Sequence, residues 1–303
     1  MSLDLEIVSD IATELAVDPA FVEKDWYSVK VLSAIAGFES TEITTIFSGG
    51  TSLSKGYNLL KRFSEDLDFR CLYQIERSGN QQRKVRSDYR KKIISEITNS
   101  EHVTLNDSDI SVASNYIKFP LGYSRKRFDH ASLRAGLQVE FSFTQPRLDP
   151  EMREIQSLVS QFTEEAPETK ILCLSPVETA SDKLSALTWR VLKRNREDEN
   201  DDPAMIRHLH DLCALKLIVC DNKDLFVETA SSAFEGDQLS GRRDTKEGFS
   251  DSMKLAFTQL NSDKEYKNEY SRFVEAMSYA DDEENIGFEV AVENYEELIS
   301  FFE

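Results

Sequence analysis

Two aspartates separated by one residue, Asp66 and Asp68, lie in a stretch that alternates polar and apolar side chains. In an extended chain Asp66, Asp68 and Arg70 leave one face while Leu67, Phe69 and Cys71 leave the other. Two hard oxygen donors on one face suit Mg²⁺, which takes one or two carboxylates and completes its shell with water and substrate phosphates. A third carboxylate on a neighbouring strand would make a two-metal site. Glu140 is the candidate, because it sits on the polar side of the alternating run from Leu137 to Phe143. Acid pairs of this spacing also arise by chance in an acidic chain, and Asp107-Ser108-Asp109 reads only as a set of turn-capping residues.

Eighteen residues upstream of Asp66, Ser48-Gly49-Gly50-Thr51-Ser52 ends a β-branched run and opens a helix-compatible segment. Free backbone amides at a helix start favour an anion, and glycine lets a phosphate approach the main chain. Gly49, Gly50, Thr51 and Ser52 are therefore candidate phosphate-holding residues, with Lys55 one turn later. Taken alone, the same residues read as an ordinary strand-to-helix turn with a serine cap. The glycine and lysine spacing of a P-loop is absent. Farther along, Lys183, Arg190 and Arg194 are spaced to share one helix face, which could neutralise a triphosphate. The acidic loop from Glu197 to Asp202 could instead balance that face. Asp211 either orients Lys183 or stabilises its own helix. His208 and His210 are two apart, which does not make a metal pair on a helix.

These residues need a scaffold, and the patterning supplies one. Helical spacing runs from Leu3 to Val17, and Asp18-Pro19 caps a second helix reaching about Ala36. Strands are expected at Ile43–Phe47, Asp66–Tyr73, Ile110–Phe119, Leu133–Phe143 and Ile171–Leu174, with helices at Thr51–Lys61 and Arg77–Asn99. After Met152 the pattern is mostly helical: Pro176–Arg194, Met205–Val219, Asp224–Phe234, Ser250–Leu260, Lys264–Tyr279 and Val292–Phe302. The expected fold is α/β (α+β), a mixed β-sheet domain with flanking helices over residues 1–150 and a mostly helical domain over 151–303.

Composition narrows the classes further. Net charge is −19 over 303 residues, with 40% hydrophobic content. The acid is uneven: residues 1–150 hold 19 Lys+Arg against 21 Asp+Glu, and residues 151–303 hold 17 against 34. A nucleic-acid partner would have to use a confined basic patch. Two are present, Arg83, Lys84, Arg86, Arg90, Lys91 and Lys92 on one helix and Arg125-Lys126-Arg127 between Tyr123 and Phe128. No apolar run approaches the roughly 20 residues of a membrane span, and no leader pattern opens the chain. Cys71, Cys173, Cys213 and Cys220 form no CxxC pair, so buried free thiols in a reducing cytoplasmic setting are expected.

Taken together, the segments resemble the nucleotidyltransferases of the DNA polymerase β superfamily. More closely they are similar to the AbiEii/AbiGii-type toxin group, which includes MenT-type toxins. Phe47 to Lys55 and Arg62 to Asp68 match the group's first motif, and Val22-Glu23-Lys24-Asp25-Trp26-Tyr27 is similar to the helix preceding it. Lys183-Leu184-Ser185-Ala186-Leu187 resembles the third motif. Arg207 to Leu212 resembles the fourth, with His208 replacing its first acid and Asp211 keeping the second. The resemblance implies a nucleoside triphosphate substrate, Mg²⁺, an RNA acceptor such as a tRNA 3′ end, and a cognate antitoxin. It also implies that Lys183 faces Asp66 and Asp68 across one cleft. An AMPylase-like transferase and a non-catalytic nucleotide- or partner-binding protein are the alternatives.

Overall fold

A computed structural model of the chain describes residues 3–242, 247–281 and 284–303. It divides into two compact units, one of residues 1–58 and 63–174, the other of residues 59–62 and 175–303.

The first unit is built on an eight-stranded mixed sheet. Its strands are β1 (Ile43–Ser48), β2 (Asp66–Tyr73), β3 (Val103–Thr104), β4 (Ser111–Ala113), β5 (Tyr116–Tyr123), β6 (Leu137–Ser142), β7 (Glu151–Ile155) and β8 (Thr169–Cys173). They lie in the order β3-β5-β6-β2-β1-β8-β7, with β4 added beside β5. β2 pairs antiparallel with β1 and parallel with β6, so Asp68 stands opposite Ser48 on one side and Glu140 on the other. Leu67, Phe69, Val139, Phe141 and Phe119 fill the core on one face of this sheet, where Phe69 stacks on Phe141.

Helices α1 (Leu5–Glu14), α2 (Pro19–Gly37), α3 (Gly49–Lys55), α4 (Gly79–Thr98) and α5 (Leu158–Phe162) complete the unit. Asp18 caps α2 through the Ala20 amide with Pro19 at its first turn, as the Asp-Pro pair predicts. Helix α4 lays Tyr89, Ile93 and Ile97 on the core, and Tyr89 reaches across the sheet to Thr45 at 2.6 Å.

Several elements differ from the sequence reading. Helix α3 begins at Gly49 and stops at Lys55, because Asn58 turns left-handed (φ 53°) and cannot continue it. The run Ile110–Phe119 is two antiparallel strands, folded over between Ala113 and Tyr116. Leu133 to Gly136 lie outside β6, since Gly136 takes φ 71° with its Cα packed against the Leu121 carbonyl. The sheet also continues past residue 150, where the chain was expected to change character: β8 joins β1 in parallel and β7 joins β8. The unit boundary falls at 174/175 instead.

The second unit is helical: α6 (Pro176–Lys193), α7 (Arg207–Ala214), α8 (Lys216–Asp221), α9 (Lys223–Leu239), α10 (Phe249–Ser262), α11 (Lys264–Met277) and α12 (Phe288–Ser300). The expected Met205–Val219 helix is broken into a 3₁₀ turn followed by α7 and α8. Residues 59–62 are stitched into this unit by an antiparallel bridge between Arg62 and Ser278 and by the Tyr279 amide donating to the Lys61 carbonyl at 3.1 Å. Of the four free cysteines, Cys71 and Cys173 are buried as expected, but Cys213 is half-buried and Cys220 exposed.

Candidate active site

β2 carries Asp66 and Asp68 on its half-exposed face, with Leu67 and Phe69 buried behind them. Parallel pairing sets Gln138 beside Asp66 and Glu140 beside Asp68 on that same face. The turn from β1 into α3 passes directly over this pair. Gly49 adopts φ 74°, and a Cβ added there would lie 2.3 Å from Asp68 Oδ2. Glycine is therefore required twice over, by the left-handed backbone and by the carboxylate packed on its Cα.

Cations already surround these acids. Arg134 donates to Asp66 Oδ1 at 2.9 Å, and Lys118 lies 3.7 Å from Glu140. Among the described residues no group of three or more His, Cys, Asp or Glu side chains is gathered to hold a metal ion. Asp66, Asp68 and Glu140 share a face, but Glu140 is drawn toward Lys118. The donor set at Asp66 and Asp68 still fits Mg²⁺, which needs only one or two protein carboxylates when substrate phosphates supply the rest.

The other sequence-predicted phosphate residues have structural engagements. Thr51 is buried, and its hydroxyl donates to the Asp66 carbonyl at 2.5 Å, tying α3 to the start of β2. Ser52 is fully buried beneath the helix. The Lys55 ammonium forms a largely buried ion pair with Asp25 of α2.

That pair belongs to one helical turn whose charge turns inward. Glu23, Lys24 and Asp25 are all buried, although a charged run in mid-helix ordinarily faces water. Glu23 accepts from the amides of Arg127 and Phe128 at 2.9 and 3.0 Å. Lys24 donates to Glu65 at 2.7 Å and to the Arg134 carbonyl at 2.9 Å, while Glu65 also receives the Arg134 amide. Asp25 accepts from the Leu158 amide at 2.7 Å. One turn thus fixes α3, α5, the residue before β2 and the loop carrying Arg134. Burial pushes the Lys24 pKa down, while Glu65 and Asp66 pull it back up. Burial pushes Glu23 up against the two amides it accepts.

In the helical unit, Asp211 is the hub of a second buried cluster. Arg62 grips it with two parallel bonds of 2.6 Å, and Lys183 pairs with its Oδ2 at 2.7 Å. Burial alone would raise the Asp211 carboxyl, but Arg62 and Lys183 outweigh it and hold the pKa well below 3.8. Burial, with Asp211 opposing, lowers Lys183. Burial and the neighbouring Lys183, Arg207 and Arg190 keep His208 neutral. Arg190 pairs with Asp202 at 3.0 Å, and Arg194 with Asp201 and Glu269, so the acidic loop does balance that basic face.

The family model for the nucleotidyl transferase AbiEii toxin of type IV toxin–antitoxin systems matches residues 30–295. The chain belongs to this family. It is accordingly a nucleotidyltransferase toxin, an enzyme whose substrate is a nucleoside triphosphate and whose system includes an antitoxin. Among solved structures it is similar to MenT4, a nucleotidyltransferase toxin from Mycobacterium tuberculosis H37Rv, at 13% identity and a TM-score of 0.41 over 90% of this chain and 99% of that one. No curated protein matches the sequence. Among the described residues no helix is long and apolar enough to cross a membrane.

For an AbiEii-family chain, sequence reasoning missed two residues. Arg62 lies inside the first motif but received no role, and Arg134, inside the expected strand Leu133–Phe143, carried no signal. Lys24 gives no clue to it, because Lys24 donates to the Arg134 main-chain carbonyl, which any residue would offer.

Proposed function

We propose that this AbiEii-family enzyme transfers a nucleoside monophosphate from a nucleoside triphosphate to an RNA 3′ end, such as that of a tRNA, in a Mg²⁺-dependent reaction in the cytoplasm. The observation that carries the reading is the Asp68 carboxylate packed against Gly49, which joins the glycine turn and the acid pair into one unit. Asp66 and Asp68 would hold the cation, and Glu140, next to Asp68 in register, would join them only by leaving Lys118. A divalent cation bound there neutralises the phosphate oxygens and favours attack on phosphorus.

The acceptor hydroxyl oxygen forms a bond to the α-phosphorus and gives up its proton to solvent, the bond to the bridging oxygen breaks, and pyrophosphate leaves carrying the bond's electron pair. Gly49 and Gly50 give the triphosphate access to the main chain at the start of α3. Thr51 and Ser52 shape that turn from its buried side, and Lys55 holds it through Asp25. Lys183 supplies positive charge to the triphosphate, oriented by Asp211. Arg62, four residues before Asp66 in the chain, is bonded to the same Asp211, which supports a common role for the two motifs. Arg190, paired with Asp202, is an outer contact for the nucleotide in this reading.

The test is incubation with each α-labelled nucleoside triphosphate, Mg²⁺ and total RNA or lysate. Label on RNA that disappears in folded Asp66→Ala is the expected result. Label on protein would identify an AMPylase-like enzyme, and full transfer by Asp66→Ala would sink the assignment of the acid pair.

A further inference from the structure

Helix α4 carries six Lys and Arg residues against two acids, Asp88 and Glu96, in a chain of net charge −19. Three of them, Arg83, Arg86 and Arg90, recur at helical spacing and line one wall of a cavity of about 460 Å³. Val112 and Ala113 of β4, Ile117 of β5 and Phe143 line the rest of it. Arg83 and Arg90 have no carboxylate partner among the described residues. Arg86 is held differently: its guanidinium lies 5.7 Å from the centre of the Phe143 ring and donates to Tyr73 Oη at 3.0 Å.

Unneutralised arginines converging on a concave wall repel one another, and an acidic chain gains no solubility from them. An anion relieves that repulsion. Seven residues of helix separate Arg83 from Arg90, a row of about 10 Å, which suits successive phosphates of a strand better than one phosphate. Arg86, immobilised by Phe143 and Tyr73, offers a flat guanidinium between them, and such planes accept an unstacked base. β4 pairs with β5 alone among the described strands, and Val112 is 53% exposed, so the cavity mouth is open along that edge. Ile117 and Phe143 belong to the core side of the sheet, the face opposite Asp66 and Asp68.

We propose that this α4–β4 cavity binds a single-stranded stretch of the acceptor RNA, gripping the body of that RNA on the sheet face opposite the acid pair. The proposal rests on the RNA-acceptor reading and names a surface for it. Arg83 and Arg90 take phosphates, and Arg86 stacks a base. It is tested with the full chain, comparing wild type with R83E/R90E and with R83K/R90K, each checked for an unchanged melting temperature. The probes are a labelled single-stranded RNA of about twenty nucleotides and a dinucleotide acceptor. Expected is an affinity loss of about tenfold or more for the long RNA in R83E/R90E, with recovery in R83K/R90K. The salt slope should fall by about 1.4, two phosphates at roughly 0.7 each. KM for the long RNA should rise with kcat retained, and transfer to the dinucleotide should not change. Unchanged RNA affinity, no binding by wild type, or equal displacement by polyglutamate would each overturn the proposal. Arginine-dependent binding by an RNA that never accepts label would uphold the surface and sink the acceptor reading.

Discussion

The Asp68 carboxylate rests on the bare Cα of Gly49, with Oδ2 only 2.3 Å from where a Cβ would stand. Gly49→Ala must therefore displace Asp68 and also strain a backbone at φ 74°. Transfer activity should be lost, with a stability cost of about 1–3 kcal/mol by thermal melting. Gly37→Ala, where no atom outside its own helix backbone and chain neighbours lies within 4 Å of the new methyl, is the control and should keep full activity with stability unchanged or slightly raised.

Arg134 competes with any cation for Asp66. The pair is solvent-exposed on the arginine side, so it contributes only about 0.2–1 kcal/mol. Arg134→Ala should then tighten Mn²⁺ binding roughly two- to fivefold in calorimetric titration without nucleotide. Weaker binding would show instead that Arg134 holds Asp66 ready for the cation.

Asp211 is the acid whose loss should be felt most in stability. Asp211→Asn leaves Arg62 and Lys183 buried without their counter-charge, a cost of about 3–5 kcal/mol. Because its folded pKa lies well below 3.8, the unfolded chain binds the proton first. This contribution is complete above 3.8 and is lost only as pH falls through the lower folded value. The melting difference between wild type and Asp211→Asn should stay level from about pH 5 to 7 and shrink only in strong acid.

Lys55→Met separates two roles for one lysine. Its largely buried pair with Asp25 predicts a loss of about 3 kcal/mol or more on chemical denaturation, since Asp25 is left charged and buried. A raised KM for nucleoside triphosphate with unchanged stability would instead assign Lys55 to the substrate.

Much of the site's skeleton was legible in the sequence. The acid pair, the glycine turn and the alternation of β2 and β6 are local patterns with a period of two, and such patterns survive folding. What stayed hidden was long-range. Nothing near Glu23, Lys24 or Asp25 in the chain says that their partners are Arg127, Arg134 and Leu158, and helical patterning alone would leave these charges facing water. β7 was missed because Glu151 to Ile155 is charged and mostly exposed, an edge strand without an apolar stripe. β4 and β5 were merged because Ser114-Asn115 is a turn only if the two flanking runs pair.

The place of β1 in the sheet bears on how this toxin is born. β1 lies between β2, which follows within one short helix, and β8, which is made more than a hundred residues later. While the chain is still emerging, one edge of the strand that leads into the glycine turn stands open, and Asp25 lacks the Leu158 amide. A chain ending short of Thr169 is therefore expected to expose a strand edge and aggregate rather than act. Harm to the host would begin only once the first unit is whole, and a ribosome stalled before that point would release an inert product.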